Sequence, residues 1–406
     1  MATSQGIFKQ TRILRQTVKG TLASAAGAAQ IMRREQSTFE LAKESYTTES
    51  EITSTQQVTS SRHGVKLING KLTGILSPLT YSDPLSAVLR RDFTAVTSIA
   101  GASITIAGTG PSYTLTRAAG SYLTDNIKVG YVVRLSVGSF TASNMAKNLL
   151  VTGVTALVLT VMVLNNSGLV AEGPIVTSTV SVPGKITFTP TTGHTTIFHT
   201  VEEWMPDVPF SERNLDVKFL QANVSLPGTG NAKIDFTANG LNQTQLATAY
   251  FSAPVAETTT QSLVAASGVL LVGGVTQAAV TDLSVSIDGK GKPADGVVGT
   301  DIRPDVFTGK VMVSGSFTAY FDSATLANLF INETSSSIVS ALTAGSAANA
   351  DFMTFTMSDV RINSTTPTDE ETGCKRTYNY VAVLNAAGGA GIATEKTTLQ
   401  IQDSAA

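Results

Sequence analysis

The sequence predicts a mainly β chain: two tandem β-sandwich or barrel units, each carrying one short α-helix, with a small all-β domain inserted into the first. Three observations predict it. Apolar and polar residues alternate with period two from Phe39 onward, only two short segments show helical spacing, and both of those lie inside an internal repeat.

The alternation is plain in Val133-Arg134-Leu135-Ser136-Val137, Ile186-Thr187-Phe188, Lys233-Ile234-Asp235-Phe236 and residues 311–321. Helical spacing marks residues 83–93 (DPLSAVLRRDF) and 323–333 (SATLANLFINE). Ser82 or Asp83 ahead of Pro84 is a good helix start, and Ser323 would cap the second helix in the same way. Aligning Gly74 with Gly315 brings Leu72 onto Val313, Leu85 onto Leu326, Val88 onto Leu329 and Leu89 onto Phe330. Downstream, Ile234, Phe236 and Ala238 match Tyr378, Tyr380 and Ala382 at a shorter spacing, so the first copy carries extra chain between Phe93 and Ile234. Residues 94–190 supply it. Strand patterns at 102–107, 113–117, 131–137, 149–154, 157–164, 176–182 and 185–189 alternate there with Gly, Asn, Ser and Pro clusters, as a compact barrel or sandwich requires. The predicted division is a first unit at 1–93 plus 191–252 with an N-terminal arm, an insert at 94–190, a linker at 253–260 (APVAETTT), and a second unit at 261–406 with a C-terminal arm.

Composition points to a chain that lives among copies of itself. Of 406 residues 42% are hydrophobic, enough for folded cores, yet only 14% are charged, against about 25% in an ordinary soluble domain. Small and β-branched residues take their place, which suits pleated surfaces that face protein. The net charge of −2 does not mark a nucleic-acid binder. The single Cys374 excludes an internal disulfide framework and a cysteine-based zinc site. Residues 1–19 lack the apolar core of a signal peptide. The most apolar stretch, residues 149–164, is shorter than the ~20 residues of a membrane span and reads as a β-hairpin. The expectation is a soluble protein made in a cytoplasm, with no membrane anchor.

Searching for chemistry yields little. His194 and His199 lie near Glu202 and Glu203, but strand alternation puts Glu202 on the opposite face, so no metal site is predicted. His63 sits in a turn. No phosphate loop or nucleophile elbow occurs, and the Gly-rich stretches at 228–230 and 289–291 read as loops between strands. The acidic run Asp369-Glu370-Glu371 reads as a solvated loop tip. No cofactor is predicted and the chain does not read as an enzyme. A glycosidase would need paired carboxylates in an aromatic cleft. A receptor-binding adhesin is the alternative, although it would favour surface aromatics, and only 6% of this chain is aromatic. Lys9, Arg12, Arg15, Lys19, Arg33 and Arg34 are spaced as in an arm. Such cations could neutralise phosphates, but no aromatic lies between Lys9 and Arg34 for base stacking, which favours an inter-subunit arm.

Several phrases resemble the major tail tube proteins of long-tailed, siphovirus-type bacteriophages: Arg15-Gln16-Thr17-Val18-Lys19-Gly20-Thr21, Ser61-Arg62-His63-Gly64-Val65, residues 70–93, Val129-Gly130-Tyr131-Val132-Val133-Arg134, Phe307-Thr308-Gly309 and residues 384–395. The likeness spans nearly the whole chain. It implies a structural virion protein that stacks as rings into a hollow tube, with strands of neighbouring subunits joined around the lumen. That tube conducts double-stranded DNA into the host. Implied partners are other copies of the chain, the tape measure protein in the lumen, and tail terminator and distal tail proteins at the ends. Six units per ring with two per chain gives trimeric rings of pseudo-sixfold symmetry, stacked helically. Candidate lumen carboxylates are Glu202, Glu203 and Asp207 in the first copy and Asp351 and Asp359 in the second. The insert would decorate the tube exterior, and the N-terminal arm with residues 386–406 would link rings. The expected location is the virion tail, after assembly in the host cytoplasm.

Overall fold

The computed structural model describes residues 3–165, 167–277, 279–368, 371 and 373–406. It is mainly β, with a large branched sheet, a closed six-stranded barrel and, among the described residues, two α-helices, α1 (Ser82–Leu89) and α2 (Thr325–Ile331).

Two sets of strands share one connectivity. In the first, Gln36–Thr47 pairs with Ser61–Ile75, which pairs with Lys233–Gly240, then Phe210–Pro227, His199–Met205 and Gln10–Arg15. In the second, Val280–Asp288 pairs with Met312–Tyr320, then Lys375–Ala382, Phe352–Thr368, Ser336–Thr343 and Gly268–Val272. Each helix follows the second strand of its set and packs on the long fourth one. Irregularities coincide too. The register shifts between His199 and Val201 and between Ser336 and Ile338, and again between Phe219 and Gln221 and between Ile362 and Ser364. Bulges at matching points of matching strands argue that the two sets are one design used twice.

The pairing corrects the predicted alignment. Gly70 lies opposite Ala238 and Leu72 opposite Phe236, just as Gly315 lies opposite Tyr380 and Phe317 opposite Tyr378. The matching bulges set Ala238 against Tyr380 and Phe236 against Tyr378, two residues off the predicted match, and the glycine matching Gly315 is therefore Gly70, not Gly74. The corner that follows is also shorter in the second set, residues 321–324 against 76–81.

Both helices are shorter than their sequence patterns. Arg90 takes a left-handed conformation (φ 59°) and its N–H bonds Ser86 O, which ends α1 before the pattern stops. Neither predicted serine caps its helix: the cap residues are Tyr81 and Ala324, without side-chain cap bonds. Ser82 Oγ instead donates to Leu79 O and to Asp403 on the C-terminal strand.

The barrel runs Ile99–Thr109, Ser112–Arg117, Val158–Val163, Leu149–Val154, Val132–Val137 and Glu172–Ser181, closing back on the first strand. Ile104, Leu115, Leu135, Leu149 and Val161 fill it. The predicted strand at 185–189 is outside it: Lys185–Phe188 pairs with Gln400–Asp403. At the neck, Thr94 and Ile186 exchange both backbone hydrogen bonds, 2.8 and 2.9 Å, so the chain enters and leaves at one point. Val132 and Leu150 point out of the barrel yet are fully buried, because Leu271, Val339, Ala341 and Phe352 of the second strand set cover them. Burial on both faces explains why residues 149–164 are so rich in apolar side chains. Gly130 (φ +86°) sits where a Cβ would strike Thr356, letting the barrel close on that sheet.

Candidate assembly interface

The two strand sets are joined edge to edge. Residues 221–227 of the first pair antiparallel with 282–288 of the second, Ala222 opposite Ile287, Val224 opposite Val285 and Leu226 opposite Leu283. These six side chains are buried in a core common to both sets. One sheet thus runs unbroken from Gln36–Thr47 at one end to residues 361–368 at the other. Among the described residues neither end has a second strand neighbour: Gln36–Thr47 pairs only with Ser61–Ile75, and residues 361–368 only with Lys375–Ala382. Unpaired strand edges are templates for another chain.

The face of this sheet turned from the core carries short polar side chains across its middle strands, with Lys233, Asp235 and Lys71 beside them on the strands of the first set. One row across five strands reads Ser225, Ser284, Ser316, Asn379, Ser364. Its neighbours hold one another: Ser284 and Ser316 hydroxyls lie 2.9 Å apart, Asn379 Nδ2 donates to Ser364 Oγ at 2.8 Å, Ser286 Oγ to Asn223 Oδ1 at 2.7 Å, and the Thr318 and Thr377 hydroxyls are 2.9 Å apart. Sequence reasoning singled out carboxylates and missed this face, although its signal was the polar half of the same alternation that revealed the strands.

The predicted lumen carboxylates divide. Glu202 and Glu203 are buried, so neither faces a channel. Glu202 accepts from Arg12 at 3.2 Å, Ser211 Oγ at 2.7 Å and the N–H groups of Tyr250 and Phe251. Glu203 pairs with Lys9 at 2.8 Å and accepts from Ser37 Oγ. Asp351 accepts from Ser404 Oγ beside Ala350, where Arg134 of the barrel docks, so it belongs to the barrel contact. Asp207 accepts from Ser4 Oγ and the Gln5 N–H, and Asp359 accepts from Ser335 Oγ, both half-buried.

The predicted inter-subunit cations are engaged within their own chain. Gln10–Arg15 is a strand antiparallel to His199–Met205, not a free arm. Arg15 bridges Asp83 and Asp92, Lys19 reaches Asp305 at 3.2 Å, Arg33 donates to Thr260 O at 2.6 Å, and Arg34 donates to the Gly6 and Lys9 carbonyls. Buried Arg12 has its partner 190 residues away in sequence, which no local pattern reveals.

His199 is buried, with Nε2 2.9 Å from Asp83 Oδ2. Burial pushes the Asp83 carboxyl up, but the hydrogen bond and charge of His199 and the Arg15 guanidinium outweigh it and hold it at about 2. Asp403 goes the other way, raised by burial against the N–H groups of Ala405 and Leu79 and the Ser82 hydroxyl. Among the described residues no three His, Cys, Asp or Glu side chains gather as a metal site, and no helix is long and apolar enough to cross a membrane. Cys374 is exposed. Of the acidic run, Asp369 and Glu370 lie outside the described residues, and Glu371 is exposed.

A family model described as "Phage tail tube protein" matches residues 10–395, nearly the whole chain. No curated protein matches the sequence.

Proposed function

The chain belongs to the phage tail tube protein family, and from that premise we propose how it builds the tube: three chains close head to tail into a ring of six equivalent strand sets, and rings stack into a conduit for DNA. The observation that carries this is the edge-to-edge join inside the chain. It is a heterologous contact between two copies of one design, and such contacts close into rings when the rotation between copies allows it. Each chain has one such join satisfied and one donor and one acceptor edge open. Closing the sheet into a barrel removes both edges.

The same geometry supports a lumen wall made of the Ser, Thr and Asn face. Hydroxyls and amides across its middle offer no fixed positive charge to phosphates, and the cations beside them share the face with carboxylates, Lys233 being paired with Glu35 at 3.0 Å, so few phosphate contacts hold DNA that passes. Asp207 and Asp359 remain candidates for additional negative charge on that wall. The inserted barrel, packed on the second set alone, belongs on the outside, which leaves the proposed lumen face clear. The tape measure, terminator and distal tail proteins follow as partners of such a tube.

Electron microscopy of the purified protein, with native mass spectrometry, tests the reading. Hollow rings of three chains, alone or stacked, are expected. Monomers persisting at high concentration, or rings of six chains, overturn it.

A further inference from the structure

The internal join also specifies the residue register of the join between chains. Ala222 pairs with Phe236 on one side and Ile287 on the other. The counterpart of Phe236 is Tyr378, which pairs with Thr365. Ile287 pairs with Val313, whose counterpart is Ile68, which pairs with Leu41. Following Val224 in the same way leads through Ile234 and Arg376 to Pro367, and through Val285, Gly315 and Gly70 to Phe39. We propose that residues 364–368 of one chain pair antiparallel with residues 38–42 of a second copy, Thr365 opposite Leu41 and Pro367 opposite Phe39. This rests on the tube reading above and adds the partner's address to it.

An observation independent of the repeat fits this register. Proline cannot donate to a ladder, so in an edge strand its nitrogen faces the open side. A partner carbonyl opposite Pro367 would therefore lose its donor, at a cost if buried. Phe39 O is already supplied, by the side-chain amide of Gln243 at 3.4 Å. A slip of two residues would set Pro367 against Leu41 or against Ser37. Ser37 O is supplied too, by Lys9 Nζ at 3.0 Å, so the proline argues against the Leu41 slip, and the register of the internal join decides against the Ser37 one. An odd slip would turn the core-facing side chains to the other face.

The two kinds of join differ chemically. Inside the chain Ala222, Val224 and Leu226 meet Leu283, Val285 and Ile287; between chains Thr365 and Pro367 meet Leu41 and Phe39. The second is the more polar, as suits an edge that must stay soluble before assembly.

Cysteine cross-linking tests the register in the full-length protein with Cys374→Ser as background. Thr38→Cys with Thr368→Cys places two exposed positions directly opposite across chains. Mild oxidation of assembled rings should convert most chains to covalent dimers and closed trimers, about tenfold more than the slipped pair Thr38→Cys with Thr366→Cys, given the narrow distance range of a disulfide. Rings that form but cross-link preferentially through the slipped pair, or through neither, overturn the register and leave the tube reading standing. Absence of rings in the Cys374→Ser parent overturns both.

Discussion

Gly70 and Gly315 hold the same position in two copies of one sheet, each on the strand that leads to its helix, each flanked by a core residue of the first strand of its set, Phe39 and Val285 respectively. Neither has room for a side chain: a Cβ at Gly70 would meet the Phe39 ring at 2.5 Å, and one at Gly315 would run into the backbone oxygen of Ser284. In the second copy the space is used by Tyr380, whose hydroxyl donates to Ser284 O at 2.9 Å. The obstruction at Gly315 is backbone and cannot swing away, so Gly315→Ala should be the more damaging of the two. It displaces the strand that holds the internal join. Thermal unfolding should show a loss of about 2 kcal/mol or more, with the loss at Gly70→Ala smaller.

The buried ion pair of Arg12 and Glu202 should matter for stability although it faces no solvent. Glu202→Gln leaves the Arg12 charge without its counter-charge in a buried site, and such removals cost about 3 kcal/mol. Urea denaturation at neutral pH should show a lowered midpoint with an unchanged slope. An unchanged midpoint would mean that water reaches Arg12.

Acid should loosen the first strand set through Asp83. Its folded pKa, about 2, lies below the ordinary 3.8. The stabilisation it provides is therefore complete above the unfolded value and is lost as pH falls from about 4 towards 2. Asp83→Asn should be less stable than the parent at neutral pH and show a flatter decline over that window. Parallel pH profiles for the two proteins would assign the acid sensitivity to other groups.

Removing the inserted barrel, by joining Thr94 to Ile186 through a short glycine turn, should uncover Leu271, Val339, Ala341 and Phe352. The remaining chain should bind a hydrophobic dye and self-associate irregularly, detectable by light scattering, because an apolar patch of that kind seeks cover. A clean monomer or ordered ring would show that the sheet face needs no covering.

Added charge on the polar face should slow DNA without preventing assembly. Ser284→Lys with Ser316→Lys adds two cations per chain to the proposed lumen wall. Tubes of normal appearance that release DNA more slowly at low salt, with the defect relieved by added salt, are expected from phosphate contacts. Ejection at the parental rate would place this face elsewhere.

Much of this was legible in the residues. The barrel strands were readable to within a few positions because Gly, Asn and Pro punctuate them, and both helices were found where the period changes. Register was harder. Alternation repeats every two residues, so sliding Met312–Tyr320 by four leaves each apolar side chain on its proper face, and Gly74 looked as good a match for Gly315 as Gly70. The helix ends were misplaced because Arg90 adopts a left-handed turn that its side chain does not announce. Glu202 and Glu203 were read as facing solvent for one reason: their partners Arg12 and Lys9 lie far along the chain. A charged residue in a strand looks solvent-facing until its counter-ion is located. The open edges themselves leave no mark on composition, since being an edge is a property of what is missing beside a strand.

The mutual hydrogen bonding of Thr94 and Ile186 has a practical corollary. Paired residues of this kind stand roughly 5.5 Å apart, so any guest polypeptide whose termini lie that close could be spliced in where the barrel now sits without parting the host strands. Such a guest must bring its own equivalent of Val132 and Leu150 to shield the underlying sheet. Within that restriction the molecule is a ready carrier, which in the tube proposed above would present one passenger for every two repeats.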